Sequence, residues 1–295
     1  MKLSVIIPTY NRKEILAKTL ESYTKQTLSS SQFELIIADD GSTDGTEELV
    51  GRYIQGDMTV IYTKQKQSGP AEARNKAIRL AKGEYVFFAG DDIIPSKTLL
   101  AEHLTAHEKY GREVAILGQT NWWDKIKTTD YMRWLIANGH QFDWRNLKNG
   151  QTLDYNRFYS SNISVAKSWL KEEKFDSALP HAAFEDIELG YRLEKKGLKI
   201  IFDSNAIAYH NHVINEKEFC QKVKYTGEGL AYVCRKFPGF RNLNVLKAKS
   251  LLMVLTYPGL LILTRVGHTH LRWKWNILFN FALGVLYGNE RPRVA

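Results

Sequence analysis

A pair of adjacent aspartates is the most demanding feature of this sequence. Gly90-Asp91-Asp92 directly follows Tyr85 to Ala89, the most hydrophobic strand-like run of the first half. Two carboxylates at the end of a buried strand are costly unless donors or a cation compensate them, and a hard divalent cation can do so while neutralising a diphosphate. A turn leading into a helix capped by Ser96 would account for Pro95 and Ser96, but not for both aspartates. Two other stretches stand at strand ends: Pro8-Thr9-Tyr10-Asn11-Arg12 and Ala38-Asp39-Asp40-Gly41-Ser42-Thr43-Asp44-Gly45-Thr46. Either alone is ordinary turn and capping chemistry. Together they bring an aromatic ring and carboxylates to neighbouring loops, which suits stacking on a nucleobase and hydrogen bonding to its edge. Farther on, Phe184-Glu185-Asp186 reads as a helix opening with acids in its first turn. The helix dipole alone would favour them there, but a carboxylate at a helix start beside a cleft can also serve as a general base. Ile207 to His212 ends an apolar strand with His210 and His212 two apart, a pair open to structural and ligand roles alike.

These residues need elements to carry them. Residues 3 to 8 form a β-branched apolar run, and Asn11 with Glu14 precedes a helical pattern through Ile15, Leu16, Leu20 and Tyr23. The unit repeats: Phe33 to Ala38 is a strand, Glu47 to Ile54 a helix, and Val60 to Tyr62 a strand. Pro70 to Lys82 is a helix with proline at its start and Gly83 at its stop, and Tyr85 to Ala89 is a further strand. Strands alternating with helices predict βαβ units, a mostly parallel sheet, and ligands at the carboxyl ends of the strands. After residue 118 the alternation fades into an aromatic, polar stretch with Trp122, Trp123, Trp134 and Trp144, which could stack on sugars or pack a core.

With 295 residues, 44% hydrophobic and 25% charged, the chain can bury a full core and is neither disordered nor fibrous. Cys220 and Cys234 cannot build a disulfide framework, which favours a reducing compartment. The N-terminal run meets Pro8 and polar residues at once and lacks the form of a signal peptide, so the expectation is a protein that is not secreted. The net charge of +9 is confined to one region: residues 1–210 hold 28 Lys+Arg and 28 Asp+Glu, while residues 211–295 hold 13 and 4. That basic tail carries two apolar runs, Leu251 to Leu263 interrupted by Pro258 and Trp275 to Tyr287, each too short for a confident membrane span. Lys222, Lys224, Arg235, Lys236, Arg241, Lys247 and Lys249 precede or enter them, and Arg265, His268, His270, Arg272, Trp273, Lys274 and Trp275 lie between. The pattern suits a helix lying in the plane of an anionic membrane surface, or else helices packed on a core. Nucleic acid is a poor partner, since the basic residues lie among long apolar runs.

Taken in order, Ser4-to-Arg12, Ala38-to-Thr46, Gly90-to-Pro95 and Glu185-to-Leu193 make the chain resemble an inverting glycosyltransferase of family 2 with the GT-A nucleotide-sugar-binding fold. The resemblance runs from Leu3 to about His212. It implies an α/β GT-A domain over residues 1–212, with a nucleotide-binding half to 118 and an acceptor-side half from 119, followed by a helical, basic and apolar appendage over 213–295. It implies that Pro8, Thr9, Tyr10, Asn11, Asp40, Arg74 and Asp91 bind the nucleotide sugar, Arg74 lying in Gly69-Pro70-Ala71-Glu72-Ala73-Arg74-Asn75 beside the ribose and diphosphate. Asp92 and His210 are then the expected metal ligands for Mg²⁺ or Mn²⁺, and Asp186, with Glu185 beside it, the catalytic base. One departure stands out: family members commonly carry aspartate where this chain has Gly90. The implied reaction moves a sugar from a nucleoside diphosphate, UDP by expectation, to a saccharide or lipid-linked saccharide. It would do so in the synthesis of a cell-surface polysaccharide or glycolipid, on the cytoplasmic face of the membrane. Two rival readings are a non-catalytic nucleotide-sugar-binding protein and a sugar nucleotidyltransferase. The second would favour a Gly-rich, basic loop after the first strand, where Pro8-Thr9-Tyr10-Asn11 stands.

Overall fold

Alternate residues of the first strands face opposite ways, and both ways are apolar. In the computed structural model, which describes residues 1–179, 181, 183–264 and 269–288, this produces a sheet buried on both sides. Strands β1 (Leu3–Thr9), β2 (Phe33–Asp39), β3 (Thr59–Lys64) and β4 (Tyr85–Ala89) alternate with helices α1 (Lys13–Tyr23), α2 (Thr46–Ile54) and α3 (Pro70–Leu80). Leu3, Val5, Ile7, Leu35, Ile37 and Phe87 pack on one face with Leu16, Leu20 and Tyr23 of α1. Ile6, Ile36, Val86 and Phe88 pack on the other with Ala73, Ala77 and Ile78 of α3. A one-residue slip of any strand would exchange these faces, so two apolar faces and two helical layers fix the register together.

The sheet continues through β5 (Ile93–Pro95), β6 (Val114–Trp122), β7 (Thr152–Leu153), β8 (Asn162–Ala166) and β9 (Lys199–His210) in the order β3-β2-β1-β4-β8-β6-β9-β5, with β7 paired to β9. Pairs β3·β2, β2·β1, β1·β4 and β6·β9 are parallel, while β8 runs antiparallel between β4 and β6. Among the described residues six of the nine strands therefore point one way, as the mostly parallel sheet expected from the sequence requires, while short β5 and β7 run antiparallel to β9 and β8 is an inversion inside the sheet that periodicity does not announce. Helix α4 (Leu99–Tyr110) has Thr98, not Ser96, at its N-cap position. Residue 118 falls inside β6, where the pairing with β9 shifts register between Gly118 and Gln119. A side chain at Gly118 would collide with Ala206 O and the Asn162 amide, so the bulge requires glycine.

The described residues divide into two compact units: 1–128, 139–176 and 186–212 form the first, and 129–138, 177–179, 181, 183–185, 213–264 and 269–288 the second. The second unit contains α5 (Asp130–Ala137), α7 (Glu216–Lys236), α8 (Leu243–Thr264) and α9 (Thr269–Tyr287); α6 (Glu185–Lys195) belongs to the first except for Glu185. Asn215 and Glu218 close a capping box at the start of α7, a sequence-local device for setting a helix end. Gly227 and Gly284 leave no room for side chains where α7 and α9 approach, and Tyr131, Trp134, Phe219 and Trp273 fill the aromatic core of this unit. Pro258 sits inside α8 without ending it. Arg265 and His268 lie outside the described residues. Among the described residues no helix is long and apolar enough to cross a membrane.

Candidate active site

The carboxyl ends of the parallel strands form one edge, and register decides what meets there. Thr9 at the end of β1 is paired with Asp39 at the end of β2. Ala89, the last residue before Gly90-Asp91-Asp92, is paired with Asn162, the first of antiparallel β8, so the residues just before β8 arrive beside the acidic pair. His210 closes β9 opposite both Trp122 and Ile93. All these positions lie in the first unit.

Asn11 joins the first two loops. Its backbone has a positive φ of 51°, its amide N–H donates to Ser42 Oγ at 2.8 Å, and its side-chain Oδ1 accepts from the Thr43 amide at 2.8 Å. Asparagine suits this left-handed position, and its side-chain oxygen is engaged within the protein. Pro8 is partly buried, and Tyr10 is 39% exposed and available for stacking. Asp40 is buried and organises the approach to α3: Oδ1 accepts from the Ser68 amide and Gln65 Nε2, both at 2.8 Å, and Oδ2 from the Gly69 amide at 2.8 Å. Gly69, with φ +91°, then opens α3, whose Arg74 is buried over the Phe175 ring, 5.3 Å from its centroid.

The acidic pair is held by three elements. Thr9 Oγ1 donates to Asp91 Oδ2 at 2.9 Å, and the Arg12 guanidinium bridges Asp91 Oδ1 at 2.6 Å and Asp92 Oδ2 at 2.9 Å. Burial, with the neighbouring Asp92 charge, pushes the Asp91 carboxyl well above the ordinary carboxylate range. Burial pushes the same way at Asp92, yet the charges of His210 and Arg12 outweigh it and hold this carboxyl below the ordinary range. His210 Nε2 lies 3.6 Å from Asp92 Oδ2, and its ring is wedged edge-on between Trp122 and Phe142 at 5.3 and 5.7 Å. A Cβ at Gly90 would stand 2.9 Å from Asp92 Oδ1, so glycine there leaves room for the Asp92 carboxylate.

Asp92 and His210 thus supply a hard oxygen and an imidazole nitrogen side by side. Among the described residues no group of three or more His, Cys, Asp or Glu is gathered as an all-protein cage would require. A donor set this small fits a cation that completes its shell with phosphate oxygens and water, the usual habit of Mg²⁺ beside nucleotides.

Asp186, half-buried in the first turn of α6, accepts at Oδ2 from the Ser160 amide at 3.2 Å and Ser160 Oγ at 3.4 Å. Ser160 stands two residues before β8, so the same pairing that brings Asn162 to Ala89 ties Asp186 to the acidic edge. Glu185 is buried and takes the Phe184 amide at 3.1 Å, so the adjacent carboxylates are placed differently and Asp186 is the more open. Of the tryptophans after residue 118, Trp144 stacks on Phe202 and donates to Thr120 O, Trp134 lies in the core of the second unit, and Trp122 borders His210. Ser160, Phe142 and the bridging action of Arg12 escape sequence reasoning, since no local pattern marks a partner 26 to 80 positions away.

The sequence profile of the family described as Glycosyl transferase family 2 matches residues 4–171, more than half of the chain. This chain is a family 2 glycosyltransferase. The nucleotidyltransferase and non-catalytic readings are displaced with it. The Bacillus subtilis (strain 168) protein named uncharacterized glycosyltransferase YfnE is 29% identical over 294 residues, covering 83% of this chain and 73% of that protein. Escherichia coli chondroitin synthase is 30% identical over 239 residues, covering 70% of this chain but only 34% of the synthase. Among solved structures, Staphylococcus aureus TarS 1–349 in complex with UDP superposes with a TM-score of 0.60 at 18% identity, over 96% of this chain and 89% of that one. The mannosyltransferase PcManGT from Pyrobaculum calidifontis, in complex with GDP-Man and Mn²⁺, gives 0.66 at 16% identity, over 96% and 85%. At these identities the superpositions establish the fold, and it is GT-A.

Proposed function

We propose that this family 2 glycosyltransferase moves a sugar from a UDP-sugar to an acceptor hydroxyl with inversion, with Mg²⁺ or Mn²⁺ bound beside the diphosphate. The observation that carries this reading is the convergence of two acidic sites on one strand edge, Asp91-Asp92 with His210 on one side and Ser160-tethered Asp186 on the other. Asp92 and His210 would hold the cation, which when bound supplies charge neutralisation to the leaving diphosphate. Tyr10 stacks on the base, and Pro8, Thr9 and Asn11 shape the loop that receives it. Asp40 sets the backbone between β3 and α3 that faces the nucleotide. Arg74 and the amino end of α3 add positive charge along the diphosphate.

Asp186 accepts the proton of the acceptor hydroxyl as that oxygen attacks the anomeric carbon and the bond from carbon to the diphosphate oxygen breaks. A single in-line displacement inverts the configuration, so no protein nucleophile is required. Ser160 fixes the carboxylate that takes the proton, while the sequence-adjacent Glu185 is buried. Residues 1–212 would be the catalytic region and 213–295 the region that meets an anionic membrane surface from the cytoplasmic side. A chondroitin synthase among the relatives supports an acceptor in polysaccharide or glycolipid assembly. Incubating the protein with a panel of UDP- and GDP-sugars and Mn²⁺, and following nucleoside diphosphate release, tests the donor assignment. Proton NMR of the first-formed anomer tests inversion, and a retained configuration would refute the single displacement.

A further inference from the structure

Arg12 has no task in the scheme above, although it touches the groups at the centre of it. Its Nη1 donates to Asp91 Oδ1 at 2.6 Å and its Nη2 to Asp92 Oδ2 at 2.9 Å, with Nη2 also 3.4 Å from His212 Nδ1. The Asp92 oxygen that Arg12 holds is the same one that lies 3.6 Å from His210 Nε2. Asp92 and His210 therefore face each other across an oxygen already paired with a positive charge. A divalent ion placed there would meet the guanidinium at close range, and like charges in a partly buried site repel strongly. The side chain of Arg12 is 32% exposed, against 6% for Asp91 and 14% for Asp92, so the arginine is the member of the trio with room to leave. Its backbone follows Asn11, which is pinned to the second loop, so the swing is confined to the side chain.

We infer that Arg12 is a tethered cation that competes with the divalent ion for Asp92. In the nucleotide-free enzyme it bridges the acidic pair. When an ion arrives with the diphosphate, Arg12 yields the Asp92 oxygen, and its guanidinium fork turns to phosphate oxygens, whose geometry it matches in pairs. The inference rests on the metal-assisted reading and adds a consequence: metal affinity is low without nucleotide and rises with it, because the two ligands together displace one arginine.

Wild type, Arg12→Gln and Arg12→Lys are titrated with Mn²⁺ alone and again with UDP present, free Mn²⁺ being read by electron paramagnetic resonance. Without UDP, Arg12→Gln should bind Mn²⁺ at least about tenfold more tightly than wild type, as expected when a charge-assisted competitor is removed. Arg12→Lys, which keeps the charge but cannot fork across both carboxylates, should fall between them. The gain in Mn²⁺ affinity on adding UDP should be large for wild type and smaller for Arg12→Gln. Equal Mn²⁺ affinity of wild type and Arg12→Gln without UDP, in proteins of equal melting temperature, overturns the inference. If UDP still draws Mn²⁺ into wild type in that case, metal-assisted transfer stands without it; if UDP draws none, both readings fall. Should Arg12→Gln melt early, Arg12→Lys decides, and Mn²⁺ affinity no higher than wild type overturns the inference.

Discussion

Asp92 follows β4 and Asp186 lies in the first turn of α6, and in the proposed mechanism the two carboxylates serve opposite partners. With Asp186 as the proposed base acting on the acceptor, Asp186→Asn should lower transfer by about 10²- to 10⁴-fold while leaving UDP affinity near wild type. Steady-state kinetics with calorimetry of UDP binding checks both halves, and a variant keeping more than about a tenth of the rate would remove Asp186 from the role of base. Asp92 is proposed to hold the cation. Asp92→Ala should therefore weaken UDP binding when Mn²⁺ or Mg²⁺ is present and change it little in EDTA, and an equal loss under both conditions would mark Asp92 as structural.

At the scale of elements, α4 is fastened under the sheet by two buried histidines. His103 Nε2 meets Asn162 Oδ1 at 2.9 Å, and Ser164 Oγ lies 2.8 Å from both His103 Nδ1 and His107 Nε2. The partners assign a neutral chain: His103 donates to the Asn162 oxygen, Ser164 donates to His103, and His107 donates to Ser164. Asn162 in turn donates to Gln119 O and Ala206 O across the β6–β9 bulge, so this network supports the strand that follows Ser160 and the one that carries His210. Burial lowers His103 to about 3 and His107 to about 4. An unfolded histidine titrates near 6.5, so the unfolded chain takes up protons first as pH falls. The stability these histidines allow is intact above about pH 6.5 and declines from there toward about 4, by up to about 1.4 kcal/mol per pH unit for each. Urea denaturation at pH 7.5, 6.5 and 5.5 should show this slope. His107→Phe, which keeps a ring stacked on Tyr85, should flatten it by about half, and an unchanged slope would show that other groups set the acid limit.

At the scale of the whole molecule, the charge asymmetry and the surface of the second unit point the same way. The +9 excess lies in residues 211–295, and α8 exposes Val245, Leu251, Leu252 and Leu255, the last two at 64% and 69%. Lys247 and Lys249 lie among them on the same helix. The full-length protein should sediment with phosphatidylserine vesicles at low salt, each basic residue near the surface contributing about 1 kcal/mol. Raised salt should weaken binding, because the attraction fades within about 8 Å at 0.15 M. Leu252→Ser with Leu255→Ser should abolish the salt-resistant remainder, burial of a leucine side chain being worth about 1.5–3 kcal/mol. Protein that stays in the supernatant at low salt would refute the membrane reading and leave α8 to another partner.

The four-strand parallel core and the loops that follow it were legible in the sequence because their causes are local. Continuous β-branched runs such as Val5-Ile6-Ile7, short and closed by Pro8, favour strands buried on both faces, and Pro70 and Gly83 punctuate the third helix within a few residues of its observed ends. The doubled aspartate after such a strand signalled chemistry for the same reason, since a buried charge must be compensated. Of the groups that compensate it, the resemblance set only His210 beside Asp92, and the hold of Arg12 and Thr9 was not legible. Arg12, Thr9 and His210 reach Asp91 and Asp92 from 79 to more than 110 positions away, through strand order and register. Ser160 comes to Asp186 only because β8 runs antiparallel beside β4, a choice of direction that a five-residue apolar strand leaves open. Residue type and spacing thus determined the chemistry on offer at each strand end, and only the tertiary pairing of those ends decided which charges share an oxygen.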